Sequence, residues 1–143
     1  MTRSVFRGHI PDDLLYDISH DMWVRAEDGQ VVIGATSYGI FLAGKIIGFT
    51  AKPRGAEVAA GRSLGTIECA KTVLAVHSPV AIVLTQANEE LEERAAPVNS
   101  DPYGAGWMVR GRPAAWETDR HLLVDAAAYR VHVLQQEPGA EFL

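Results

Sequence analysis

What most limits the folds open to this chain is the brevity of its β-rich runs and the closeness of the turn signals between them. Met22-Trp-Val-Arg-Ala26 runs into Asp28-Gly29, and Gln30-Val-Val-Ile-Gly34 follows. Asp-Gly suits a two-residue hairpin whose central residues both take positive φ. Lys45–Thr50, Leu64–Cys69, Thr72–His77, Val80–Leu84 and Trp107–Arg110 are further strand-like runs, with Gly55–Gly61 as a strand edge and turn. Many short strands at close spacing predict a β-sandwich or barrel. Helical signals are few. Thr36-Ser37 offers an N-cap and Gly44 a C′ glycine, which predicts a helix over 37–43. Asn88 is placed to cap a short helix over Glu89–Glu93, whose acidic first turn suits the helix dipole. Asp125 caps a helix over 126–136 that Pro138-Gly139 terminates. The fold class is therefore β-rich α+β, with short peripheral helices and a C-terminal helix packed on the outside.

Composition narrows the function. A chain of 143 residues fits one domain with an adequate core, divided here into an N-terminal arm over residues 1–10 and a single domain over 11–143. A net charge of −5 without a basic run argues against nucleic acid as a partner. The single cysteine, Cys69, excludes an internal disulfide and any CxxC motif. The most apolar stretch, Ile40–Phe49, is short and broken by Lys45, so it cannot span a bilayer. The start of the chain has no apolar secretory core. The expectation is a cytoplasmic monomer with no membrane contact.

No catalytic set stands out. The histidines, His9, His20, His77, His121 and His132, form no HxxxH or HExxH pattern. Neither a Gly-x-Ser-x-Gly elbow nor a phosphate-cradling Gly-x-x-x-x-Gly-Lys loop is present. The expectation is a chain with no catalytic residue and no metal site. The lysines say more, because there are only three, Lys45, Lys52 and Lys71. Lys71 lies between two β-rich runs, which places its amine at or beside the tip of a hairpin. A rigid, exposed tip is what an enzyme needs to attach a long acyl arm through an amide bond. The plainer alternative is an exposed turn lysine with no further role. Cys69, two residues earlier, could be a thiol beside a bound cofactor or a half-buried structural residue. His77, on the second arm of the hairpin, reads as a base or as a surface polar residue.

At Lys71 the sequence resembles the glycine cleavage system H proteins, a family of lipoyl-carrying domains. Ile10–Tyr16 resembles the family's opening segment, and His20-Asp-Met-Trp-Val24 resembles its His-Glu-Trp-Val with one residue extra. Ile33–Tyr38 is similar to its Gly-Ile-Thr-Asp-Tyr stretch. Gly55 to Lys71 fits Gly-x-x-Val-x-x-Gly followed by Gly-x-x-Glu-x-x-Lys. Asn88-Glu89, then Asn99-Ser-Asp-Pro-Tyr-Gly-Ala-Gly-Trp107, match a long family motif, and Leu122–Tyr129 looks like the C-terminal helix. The resemblance implies a barrel-sandwich hybrid of two antiparallel sheets, lipoate in amide linkage to Lys71, and recognition of the site by a lipoate ligase or lipoyl transferase through Glu68. It implies a carrier that is not itself an enzyme.

The departures lie around the lysine. The family's Glu-Ser-Val-Lys-Ala-Ala-Ser is here Glu68-Cys-Ala-Lys-Thr-Val-Leu74. His77 stands where an aromatic residue is usual, Ala81-Ile82 replace a Ser-Gly turn, and Lys45 replaces an Asp. Ile82 resists a positive φ, so that turn must take another shape. A retained scaffold with a retuned face suits a paralogue with different clients. The expectation is a lipoate-binding protein of bacterial sulfur oxidation serving a heterodisulfide-reductase-like complex. The alternatives are the glycine cleavage carrier of an aminomethyl group, working with the glycine cleavage enzymes, and an unmodified interaction module. Dihydrolipoamide dehydrogenase is a further expected partner of either carrier.

Overall fold

The computed structural model describes residues 4–143. In chain order the elements are β1 (Arg7–Gly8), β2 (Leu15–Asp17), β3 (Met22–Glu27), β4 (Gln30–Ala35), α1 (Ser37–Ala43), β5 (Ile46–Ala51), β6 (Glu57–Val58), β7 (Ser63–Cys69), β8 (Val73–His77) and β9 (Ile82–Ala87). They continue with α2 (Glu89–Glu93), α3 (Ala96–Ser100), β10 (Val109–Pro113), α4 (Trp116–Asp119), α5 (Ala126–Gln136) and β11 (Glu141–Phe142). Two antiparallel sheets, in the orders β2-β3-β4-β10-β9-β6 and β5-β7-β8, make a barrel-sandwich hybrid. No helix among the described residues is long and apolar enough to cross a membrane.

Strands β3 and β4 of the larger sheet are buried on both faces and read as apolar runs, while β9 and β10 alternate buried and part-exposed positions. Successive side chains point to opposite faces of a strand. Val24, Ile33, Leu84 and Val109 therefore meet Phe49, Leu64, Ile67 and Val76 of the smaller sheet in one core. Trp23, Val32 and Tyr16 enter a second core with Phe6, Ile10, Tyr38, Tyr129 and Val133, beneath α5. Tyr16 and Tyr129 stack there with ring centroids 4.7 Å apart.

The local signals hold in most places. Asp28 and Gly29 have φ of 45° and 77°, as the β3–β4 hairpin requires. Thr36 accepts from the Gly39 N–H at the start of α1, and Gly44 closes it at φ 86°. Asp125 accepts from the Ala128 N–H and opens α5. Ile82 begins β9 without a positive φ, since Asp21 and Asp28 alone among described non-glycine residues have one.

Three expectations need correction. Residues 1–3 lie outside the described residues, but the rest of the expected N-terminal arm is not loose. Phe6 and Ile10 are buried, and β1 pairs in parallel with β11, because apolar side chains at these positions complete the second core. Asn88 precedes α2 but makes no side-chain cap there; its amide donates to the Ala105 and Trp107 carbonyls instead, at 2.9 and 2.8 Å. The strands expected from Val80 and Trp107 start at Ile82 and Val109. Val80 and Met108, both fully buried, pack just outside them.

Gly65 of β7 pairs with Ala51 of β5. A Cβ there would collide with the Thr50 carbonyl oxygen and lie 2.9 Å from the Ala51 Cα, both backbone atoms that cannot swing aside. Gly65→Ala is expected to lower stability by about 1–3 kcal/mol, the usual range for overpacking, read as a drop in the thermal midpoint.

Candidate functional site

The β7–β8 hairpin projects Lys71 as expected. Glu68 pairs with Val73 and Ile67 with Leu74. Beyond them the Cys69 N–H donates to the Thr72 carbonyl at 2.9 Å and the Thr72 N–H to the Cys69 carbonyl at 3.4 Å. Ala70 and Lys71 are thus the two loop residues. Neither has a positive φ, so this tight turn differs in kind from the Asp28–Gly29 turn. Lys71 is exposed and forms no ion pair or hydrogen bond among the described residues. Lys45 lies in the link between α1 and β5, and Lys52 just after β5; neither sits on a hairpin tip.

The tip is fixed from below by Asn99, whose place in the Asn99–Trp107 motif gives no sign of that role. The Asn99 side chain accepts from the Ile46 N–H and donates to the Ile46 carbonyl, both at 2.9 Å. Ile46 pairs in turn with Cys69, the last residue before the turn. The rest of that motif ties its own loop to the N-terminal segment and to β3. Asp101 receives the Ala105 N–H at 2.9 Å, Tyr103 donates to the His9 carbonyl at 2.6 Å, and Pro102 accepts from the Trp23 indole at 3.1 Å. A Cβ at Gly106 would lie 2.5 Å from the Pro97 carbonyl oxygen. Asn99 is scaffold for the end of the smaller sheet, and the other motif residues are scaffold for the loop that carries it.

Glu68 and Val73 share the outward face. A Cβ at Gly48 would come within 3.1 Å of Glu68 Oε2, so the glycine leaves room for that carboxylate. Val73 and Ile47 are 61% and 52% exposed, which gives the tip an apolar flank. Cys69 faces inward and is buried, so it is a packing residue and not a thiol beside a cofactor.

A cleft of about 360 Å³ runs along β8. One wall is Leu74 to His77; the other is α1, through Gly39, Ile40, Leu42 and Ala43, and the Ser19–Met22 turn. Among the described residues β8 pairs in its sheet with β7 alone, so this wall is a free strand edge. The lining is mostly apolar. Its polar groups are gathered on the Ser19–Asp21 turn and at His77, which stacks on His20 at 4.7 Å between centroids. Nothing in the spacing of residues 20 and 77 hints at this pairing, because they meet only through the packing of the two sheets. A larger, more polar depression of about 580 Å³ lies beside Lys52, Arg54 and Glu89 and touches no residue of the β7–β8 turn. Among the described residues no group of three or more metal-ligating side chains converges.

Asp21 anchors the cleft's turn to the second core. It has φ 55°, and its carboxylate accepts from the Tyr129 hydroxyl at 2.7 Å, while Thr36 Oγ1 lies 2.7 Å from the same hydroxyl. Burial raises the Asp21 carboxyl above its ordinary 3.8, outweighing the lowering effect of the Tyr129 hydrogen bond. Burial likewise raises the Tyr129 hydroxyl. A carboxyl whose folded pKa is raised holds its proton longer in the folded state. Its contribution is full below the unfolded value and is lost as pH rises through the folded one. Asp21→Asn is therefore expected to flatten the stability profile just above pH 4, measured by urea unfolding at a series of pH values. Asn99→Ala would leave the Ile46 N–H and carbonyl without their partner. It is expected to cost about 1–3 kcal/mol, seen as a lower urea midpoint.

Comparison with known proteins agrees with this geometry. The sequence pattern of the glycine cleavage H-protein family matches residues 14–136. The glycine cleavage system H protein 5 of Aquifex aeolicus is 38% identical over 138 residues, covering 92% of this chain and 93% of that protein. The H protein of Mycolicibacterium vanbaalenii is 36% identical, covering 88% and 98%. A crystal structure of an H protein from Mycobacterium marinum superposes with a TM-score of 0.76 at 30% identity, covering 85% of this chain and 97% of that one. The chain belongs to the glycine cleavage H-protein family, whose members are non-catalytic carriers of covalently bound lipoate.

Proposed function

We propose that Lys71 is the lipoylated residue and that the protein carries a lipoyl-bound intermediate between the glycine cleavage enzymes. The observation that supports this most is an exposed, unpaired lysine on a two-residue turn at the end of a braced hairpin. The site fits the group in two respects. The amine is free for acylation, and an apolar cleft opens along the strand that follows it.

Lipoate supplies a disulfide that is an electrophile when oxidised and a pair of nucleophilic thiols when reduced. The chain's own residues present and shelter it. The Cys69–Thr72 backbone bonds hold the turn, so a modifying ligase meets a preformed shape with Glu68 on its outer face. Attachment to one chain replaces diffusion by a high local concentration. Ile47 and Val73 offer apolar surface against which a client enzyme can seat, and the β8 cleft withdraws the arm from water between encounters. Lipoate ligase or lipoyl transferase is the partner for loading, and dihydrolipoamide dehydrogenase the partner for reoxidation.

A second reading is favoured by the surface within reach of the arm. Val73 and Ile47 are exposed apolar residues, Lys45 adds a positive charge, and His77 adds an imidazole to the cleft. Charge reversal on a docking face discriminates between partners, because juxtaposed like charges repel. These features suit a heterodisulfide-reductase-like sulfur-oxidising complex as client in place of glycine decarboxylase. Glycine-dependent loading of the arm at the rate of a cognate H protein would decide for the first reading.

Peptide mass spectrometry of protein from cells that make the ligase is expected to find lipoate on Lys71 and none on Lys45 or Lys52. Lys71→Arg should change stability by no more than about 0.5 kcal/mol, as an exposed turn allows, and abolish lipoylation. Lipoate on another lysine would refute the assignment.

A further inference from the structure

Most of the cleft along β8 is explained by apolar shelter, but its far end is not. There His20 and His77 stack with ring centroids 4.7 Å apart and planes 23° from parallel. His20 comes from the turn between β2 and β3, and His77 from the last position of β8, so two sheets each contribute one ring. His20 Nδ1 lies 2.7 Å from Asp17 Oδ2, and Asp17 is itself buried and held by the Ser19 N–H at 3.0 Å. The carboxylate can only accept, so Nδ1 carries the hydrogen, and Nε2 has no hydrogen-bond partner among the described residues. The ring nitrogens of His77 have no hydrogen-bond partner among the described residues. A paired imidazole with a fixed tautomer, beside a second one with both nitrogens unengaged, is more than a mostly apolar cleft needs to exclude water.

We propose that the His20–His77 pair, oriented by Asp17, binds the thiolate end of the reduced arm and lowers the pKa of its thiol. This rests on lipoylation of Lys71 but holds for either client. The reach is right. A lipoyl-lysine arm has about a dozen single bonds and extends on the order of 14 Å at ordinary bond lengths. Four residues of strand, from Lys71 to Ala75, span about 13 Å. An arm laid back along β8 therefore ends level with Ala75, on the face that carries His77 two residues further on. The proton accounting is simple. The S–H bond breaks, the N–H bond forms at an imidazole, and the resulting imidazolium faces the thiolate while Asp17 offsets the positive charge on His20. An imidazolium beside a sulfur is the arrangement that lowers thiol pKa values in general.

The charged groups around the pair are compatible with this. From the β2–β3 turn come Asp17, already engaged with His20, and Asp21, engaged with Tyr129. On its other side His77 borders a depression shared with Lys52, Glu57 and Arg62, of which two are cationic. The stretch of α1 that lines the cleft contributes Gly39, Ile40, Leu42 and Ala43, none of which titrates.

The test uses full-length protein loaded by lipoate ligase, with the arm reduced by a phosphine. Intact mass first confirms a lipoyl increment that Lys71→Arg abolishes; its absence would overturn the carrier reading and this one with it. The ultraviolet absorbance of the thiolate is then followed against pH, with unlipoylated protein as the blank. The first thiol is expected to titrate about one pH unit below that of free dihydrolipoamide, a tenfold gain in thiolate at a given pH below both values. His77→Asn and His20→Asn should each return it towards the free compound, while His9→Asn, which pairs with the C-terminal carbonyl elsewhere, should not. Two separate variants guard against one of them failing to fold. A lipoylated protein whose thiol titrates as the free compound does, or is unmoved by either cleft variant, would overturn the proposal while leaving Lys71 as the carrier residue.

Discussion

The bracket that Asn99 places on Ile46 is the interaction on which the rest of the site depends. One side-chain amide satisfies both backbone groups of a buried strand residue. That residue pairs with Cys69, and Cys69 exchanges backbone hydrogen bonds with Thr72 across the turn. Lys71 therefore sits at the end of a continuous series of backbone contacts that begins in α3. Without it, β5 would be held at this end only by strand pairing, and the hairpin would lean on a frayed neighbour. Orientation of a long flexible arm starts with the rigidity of the two residues that bear it.

The smaller sheet exposes an edge, and the fold manages that edge with the cleft. A free strand edge invites pairing with another chain. Here β8 is short, and α1 and the Ser19–Met22 turn stand across from it at a distance that leaves a groove instead of closing it. The turn is held by Asp21, whose carboxylate reaches the Tyr129 hydroxyl on α5. The C-terminal helix thus shapes a site to which it adds no lining residue. The two cores divide the work. One joins the sheets and sets the hairpin; the other, beneath α5, sets the opposite wall of the groove.

Much of this was legible in the residues. Asp28-Gly29, Thr36 with Gly44, and Asp125 with Pro138-Gly139 each specify their structure locally, through positive φ or a cap. The Lys71 tip followed from two β-rich runs with a two-residue gap, and its chemistry from the resemblance to the H proteins. What was not legible depended on distant partners. Phe6 and Ile10 look like a loose arm until the second core is assembled around them. Asn88 has the right type and place for a cap, but two carbonyls from the Ala105–Trp107 stretch compete for its amide and win. His20 and His77 read as isolated polar residues because nothing in their spacing reports that two separate sheets bring them into contact.

The central claim is that the groove along β8 receives the arm carried by Lys71. Backbone amide NMR of the apo- and lipoylated proteins, with the arm reduced, tests it most directly. Lipoylation is expected to shift resonances in three separate stretches, Ser19–Met22, Gly39–Ala43 and Leu74–His77, along with those of the turn itself. Shifts confined to the residues adjoining Lys71, with the opposite wall of the groove unchanged, would contradict it.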